Sequence, residues 1–339
     1  MSDDYLWDGA GEPDPEVERL ERLLRPLRHG QAALRLPPAP APARRAPTWT
    51  WAAAAAVLIA LASARLGPSV SGLAWEVERL EGAPQVAGRG VADRGRLAPG
   101  QWLETNDTSR VRITTDAVGE VEIEPHSRLR LLDGGSASAR MALARGVLHA
   151  RIWAPPGRFV VDTPSATAVD LGCAYTLEVD DVGAGRVTVV SGWVGFRFEN
   201  RESFVPRGAT CRTRPRSGPG TPYYLDASEP LQEALTRLDF GPEAERAAAL
   251  DVVLGEARGR DALSLWHLLN RGRATDRERV YARLDALAPA PAGVTRDGVL
   301  RGDQHMLDLW WDSLGLDSAS WWRRWERPWS PAPGASPAR

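Results

Sequence analysis

Over residues 75–213 apolar and polar side chains alternate in short runs broken by Gly, Pro and Asp, and a period of two leaves room for little except β-strands. The runs include RVRIT from Arg110, EVEIEP from Glu120, RLRLL from Arg128, GVLHARIW from Gly146, YTLEV from Tyr175, RVTVV from Arg186 and WVGFRF from Trp193. In the second of these Val121 and Ile123 face one way while Glu120, Glu122 and Glu124 face the other, as strands with one buried and one wet face require. The pattern predicts a mainly β domain of antiparallel strands, of solenoid or sandwich type.

With 339 residues the chain exceeds what a single core normally organises, and its composition shifts on both sides of the β region. The stretch RPRSGPGTPYYLDASE at 214–229 reads as a Gly/Pro-rich linker. Helical periodicity follows over 230–329, with helices predicted at 242–257, 261–270, 276–288 and 303–314 and short connections that suggest antiparallel helical hairpins. Trp266 fits the core of this region. The segment SWWRRWERPW at 320–329 carries too many indoles for a short terminus to bury, and docking back onto the domain is preferred to contact with a partner or a membrane surface. Residues 330–339 read as a disordered tail.

Upstream, residues 46–64 carry no charge, the length a helix needs to cross a bilayer, and a transmembrane helix is predicted over 46–66. Arg44 and Arg45 precede it, and Trp49 and Trp51 lie where interfacial aromatics belong. By the positive-inside rule the N-terminus is then cytoplasmic and the β and helical domains lie outside an inner membrane, in the periplasm. An oxidising compartment makes Cys173 and Cys211 a candidate disulfide, worth roughly 4 kcal/mol in the chain-entropy model, against the alternative of two reduced thiols. Residues 1–45 hold a short amphipathic helix, with Val17, Leu20, Leu24 and Leu27 at helical spacing and Leu23 beside them, then the Pro/Ala-rich linker LPPAPAPARRAP. A lone helix of this length is marginal in water, so its leucine face points to a partner.

Several chemistries are excluded. All 42 basic residues are arginine, so Schiff-base chemistry, a P-loop lysine and a lysine base are absent. A net charge of -2 with interspersed signs does not favour nucleic acid. No His or Cys spacing suits zinc, and the Asp180–Asp181 pair reads as a hairpin tip and not a calcium loop. Cys173 falls inside an alternating strand without a histidine in a hydrolase context, and Ser165 lacks a nucleophile-elbow setting. The chain is therefore read as a non-enzyme without metal or cofactor.

The segments LAPGQWLET from Leu97, VEIEPHSRLRL from Val121, MALARGVLHARI from Met141, FVVDTPSATAVDLGCAYTLEV from Phe159 and VTVVSGWVGFRF from Val187 resemble, in order, the pattern of the FecR family of envelope regulators. The resemblance spans about 120 residues. Two departures stand out: Cys173 occupies a place where the family usually has threonine, and the N-terminal segment is shorter than the family's sigma-binding domain. The resemblance implies a membrane-anchored, anti-sigma-type regulator that relays a periplasmic signal, with a sigma factor as partner through residues 1–45 and an envelope or outer-membrane protein as partner of the β domain. The competing reading is an envelope scaffold whose tail has no regulatory role.

Overall fold

The alternation along each strand becomes, across the strands, a set of rows. In the computed structural model, which describes residues 74–135, 138–316 and the isolated helical positions Arg19, Arg22 and Leu23, Val77, Ile113, Val121, Ala150, Tyr175 and Val189 are successive cross-strand neighbours and all are buried. The adjacent row reads Glu78, Arg112, Glu122, His149, Thr176 and Thr188 and faces outward. Each fully buried apolar side chain of the inner rows contributes about 1.5–3 kcal/mol relative to exposure, and the pleat fixes which residues do so.

In chain order the strands are β1 (Trp75–Glu81), β2 (Gln85–Val86), β3 (Arg89–Gly90), β4 (Arg94–Leu97), β5 (Trp102–Glu104) and β6 (Arg110–Thr115). There follow β7 (Gly119–Ile123), β8 (Arg128–Gly134), β9 (Ala139–Ile152), β10 (Phe159–Asp162), β11 (Thr167–Asp170) and β12 (Ala174–Val179). The last are β13 (Gly185–Ser191), β14 (Trp193–Phe198), β15 (Arg201–Pro206), β16 (Ala209–Arg214), β17 (Gly218–Pro219) and β18 (Tyr223–Tyr224).

They form two sheets over one shared core. One sheet runs β4, β1, β6, β7, β9, β12, β13, β16. The other runs β3, β2, β5, β8, β9, β10, β11, β14, β15. Successive hairpins alternate between the sheets, which is how the solenoid and sandwich expectations meet in one object. All pairings are antiparallel except β9 with β10, which run parallel.

β9 belongs to both sheets. Its first half pairs with β8 and β10, and its second half pairs with β7 and β12. The change occurs at Gly146, whose φ of 101° is closed to other residues and whose missing Cβ would lie 2.1 Å from Ser127 Oγ and 2.4 Å from Ser127 Cα.

Residues 214–229, read from sequence as a linker, instead extend the first sheet. Gly218 and Pro219 pair with the end of β16, and Tyr223 and Tyr224 pair with its start, with all four residues buried. Six α-helices follow among the described residues: α1 (Glu229–Phe240), α2 (Arg246–Glu256), α3 (Ala262–Arg271), α4 (Ala274–Leu287), α5 (Arg296–Arg301) and α6 (Gln304–Ser313). Ser228 caps α1 by accepting the Leu231 N–H, and Asp303 caps α6 through the N–H groups of His305 and Met306.

α3 is buried along its whole length from Ala262 to Leu269 because it lies against the β unit on one side and its neighbouring helices on the other. Trp311 of α6 sits 4.6 Å from the Trp266 ring of α3 and 6.3 Å from Phe204 of β15, while Trp266 Nε1 donates to the Leu307 carbonyl at 2.8 Å. Helices and sheets share one hydrophobic core. Among the described residues no helix is long and apolar enough to cross a membrane; the predicted span at 46–66 and the cluster at 320–329 lie outside them.

Candidate functional site

Two buried polar clusters stand out, one inside the β unit and one where the helices meet it. The first lies at the corner where β11 leaves one sheet and β12 enters the other. Gly172, at φ 83°, makes the turn, and Asp170, only 1% exposed, closes it: one carboxyl oxygen accepts the Gly172 N–H at 2.8 Å and the other accepts the Cys173 S–H at 2.5 Å. The corner from β13 back to β14 interlocks with it, because a Cβ on Gly192 would lie 2.1 Å from the Gly172 carbonyl. Burial, only partly offset by these bonds, raises the Asp170 carboxyl to about 7. Burial and the neighbouring carboxyl push the Cys173 thiol well above its ordinary value, and the Tyr175 hydroxyl beside them is buried without a partner among the described residues.

A thiol held protonated is a poor nucleophile. Cys173 is thus a hydrogen-bond donor to a buried carboxyl. Ser165 is equally enclosed, with its Oγ 2.6 Å from Thr213 Oγ1, and Thr163 closes the tight turn at Thr163-Pro164 through its bond to the Ala166 carbonyl. Among the described residues no group of three His, Cys, Asp or Glu side chains is placed to hold a metal.

The candidate bridge between Cys173 and Cys211 is not formed: both are buried free thiols. Cys211 stands opposite Val187, which stands opposite Leu177, so it is two strands across and four residues along from Cys173. At about 4.8 Å per strand and 3.3 Å per residue the separation is well beyond the roughly 7 Å limit for a disulfide. Cys211 instead donates to the Gly220 carbonyl at 3.3 Å, and burial pushes its thiol to about 12.

The second cluster was not singled out by sequence reasoning. Among the described residues β15 has no strand partner on its outer side, and α3 covers that edge. The Phe204 N–H donates to His267 Nε2 at 3.0 Å, and His267 Nδ1 lies 2.8 Å from the Leu263 carbonyl, which fixes the neutral tautomer protonated at Nδ1. Burial and the Arg271 charge lower the His267 pKa to about 3, so the ring remains an acceptor. Arg271, one helical turn on, is half-buried and donates to the carbonyls of His267, Pro219 and Gly220 and to the hydroxyls of Ser203 and Thr221. Asp239 of α1 accepts from the Thr221 N–H at 2.6 Å and from Arg201 Nη2 at 2.8 Å. The one sequence signal was α3 itself, apolar from Ala262 to Leu269 apart from Ser264 and His267, which marks a helix enclosed on all sides over those two turns.

Of the proposed partner-binding residues, Leu23 is helical and 66% exposed. Val17, Leu20, Leu24 and Leu27, and the anchoring residues Arg44, Arg45, Trp49 and Trp51, lie outside the described residues.

No curated protein matches the chain. Two crystal structures of a candidate anti-sigma factor from Parabacteroides distasonis are similar to it. One is 15% identical with a TM-score of 0.32, covering 40% of this chain and 64% of that one, so the match spans less than two thirds of the neighbour's length. The other is 14% identical with a TM-score of 0.33, covering 45% of this chain and 73% of that one. Residues 101–195, from the start of β5 into β14, match the FecR protein family, over the same ordered segments whose pattern the sequence carries.

Proposed function

We propose that this chain is a single-pass envelope regulator of the FecR type. The FecR match over 101–195 carries the reading, supported by a leucine-faced segment, a Pro/Ala spacer and an uncharged apolar run in the order a relay across a membrane requires. In this reading the β and helical parts stand in the periplasm and meet an envelope or outer-membrane protein. Residues 1–45 meet a cytoplasmic partner of the sigma-factor class through Val17, Leu20, Leu23, Leu24 and Leu27. Cys173 and Ser165 are buried and each already hydrogen-bonded, so neither is offered as a nucleophile in this reading.

Co-purification tests the relay. The tagged full chain is expressed beside its cognate sigma-type regulator, and capture is compared with a chain lacking residues 1–45 and with Leu20→Glu/Leu24→Glu. Retention by the full chain and loss in both variants is the expected result. If the truncated chain retains the sigma factor equally, or if removing the tail leaves transcription unchanged, the scaffold reading replaces this one.

A further inference from the structure

Beneath the edge of β15 the second polar cluster opens into a cleft of about 800 Å³ between the β14–β15 hairpin, the β16–β17 turn and the ends of α1 and α3. That is within the range of small-molecule sites. Its floor carries an unbalanced charge. Arg201 and Arg271 both reach it; of the carboxylates that line it, Asp239 is bonded to Arg201 and Glu202 pairs with Arg197. Every nitrogen of the Arg271 guanidinium donates to a neutral oxygen, and among the described residues no carboxylate pairs with it directly, the nearby Asp239 acting on it only through space. Arg201 Nε is buried with no acceptor among the described residues. A cationic nitrogen left buried without an acceptor is costly unless an anion completes it.

The rim adds a second, independent observation. Of the four non-glycine residues with positive φ among the described residues, two line this cleft: Glu199 at 50° and Arg216 at 65°. Arg216 takes the third position of a turn closed by the Ser217 N–H on the Arg214 carbonyl, after Pro215, where glycine is favoured. Glu199 likewise opens the two-residue loop from β14 to β15 at a φ that suits glycine. Strained backbone under a charged side chain is a recurrent property of binding sites. The other two arginines of the cleft are committed, Arg246 to Asp276 and Arg273 to Glu243, whereas Arg216 makes no ion pair among the described residues.

We propose that this cleft binds a small polar ligand through a phosphate or carboxylate group, clamped between Arg216 at the rim and Arg201 on the floor. Such a ligand touches strands and helices at once, so it ties the helical region to the β unit. The site stands or falls on binding alone and does not depend on the regulatory reading.

Titration calorimetry on the purified full-length chain, in low-chloride buffer, tests it with inorganic phosphate and succinate as probes. Saturable binding of either probe is expected, and the one that binds identifies the group recognised. Arg216→Gly should weaken that binding roughly tenfold or more, the scale of a lost charge-assisted bond. Its thermal midpoint should stay the same or rise, since glycine tolerates the positive φ and the loss cannot then be ascribed to misfolding. Glu199→Gly relieves the same kind of strain but removes a negative charge, and should bind equally or more tightly. Absence of saturable binding of both probes up to ~10 mM, or Arg216→Gly binding as well as the parent chain, overturns the proposal.

Discussion

Replacing Asp170 with asparagine should make this protein more stable in mild alkali than the parent chain, with a much smaller gain in mild acid. In the folded state the carboxyl is 1% exposed and its pKa is raised to about 7 from the ordinary 3.8, chiefly by burial. The folded state therefore holds this proton more tightly than the unfolded chain. The group costs nothing below about pH 4, and its cost grows from there until the pH passes 7, where it is complete. At 1.36 kcal/mol per pH unit the full penalty is roughly 4 kcal/mol. Asparagine keeps an oxygen for the Gly172 N–H and turns its amide toward Cys173 Sγ, giving up only the S–H bond, so a net gain of roughly 2–4 kcal/mol at about pH 8.5 should survive. For a folded unit of this size that is a rise in midpoint on the order of 10 °C. Circular dichroism melts of both proteins at about pH 5 and about pH 8.5 measure the gap. Cys173 and Tyr175, the titratable neighbours, keep their protons through this range and cannot produce it. A gap that is the same at both pH values would refute the account of a carboxyl enclosed in the corner between the sheets.

Gly146→Ala should cost about 3 kcal/mol or more and reduce soluble yield, since it combines a forbidden φ with collision against Ser127; Ser127→Gly should not rescue it, because Ser127 Cα itself is in the way. Thiol titration should count two free cysteines in denaturant and almost none in the native protein, and Cys173→Ser and Cys211→Ser should differ in midpoint, because the two thiols donate to unlike acceptors. Equal effects together with no titratable thiol in denaturant would restore the bridge.

Much of the β unit is legible in the sequence because a pleated strand has only two faces, and stretches such as EVEIEP state which face is dry. Helix positions in the C-terminal region were legible for the same reason at another period: the predicted 261–270 coincides within a residue with Ala262–Arg271, and Asp303 begins the last helix as its cap. The Gly/Pro stretch after Arg214 misled because composition reports backbone freedom and is blind to what lies alongside; Tyr223 and Tyr224 are held by the free side of β16. Pairing Cys173 with Cys211 failed because register and strand order are tertiary facts. The Arg201, Asp239 and Arg271 cluster gathers residues from β15, α1 and α3, and no local signal announces such a meeting.

The alternation of hairpins between the two sheets has a kinetic consequence. No strand pairing among the described residues reaches further than that of Glu76 with Thr114, a span of 38 residues, even though the sheets together hold eighteen strands. Sandwiches of the Greek-key kind close long loops before their contacts return anything, and they fold slowly for that reason. Here each new hairpin meets strands made shortly before it, so the unit can be assembled in order from its N-terminal end as the chain is synthesised, and the helices, arriving last, close the edge of β15 only when the rest is in place.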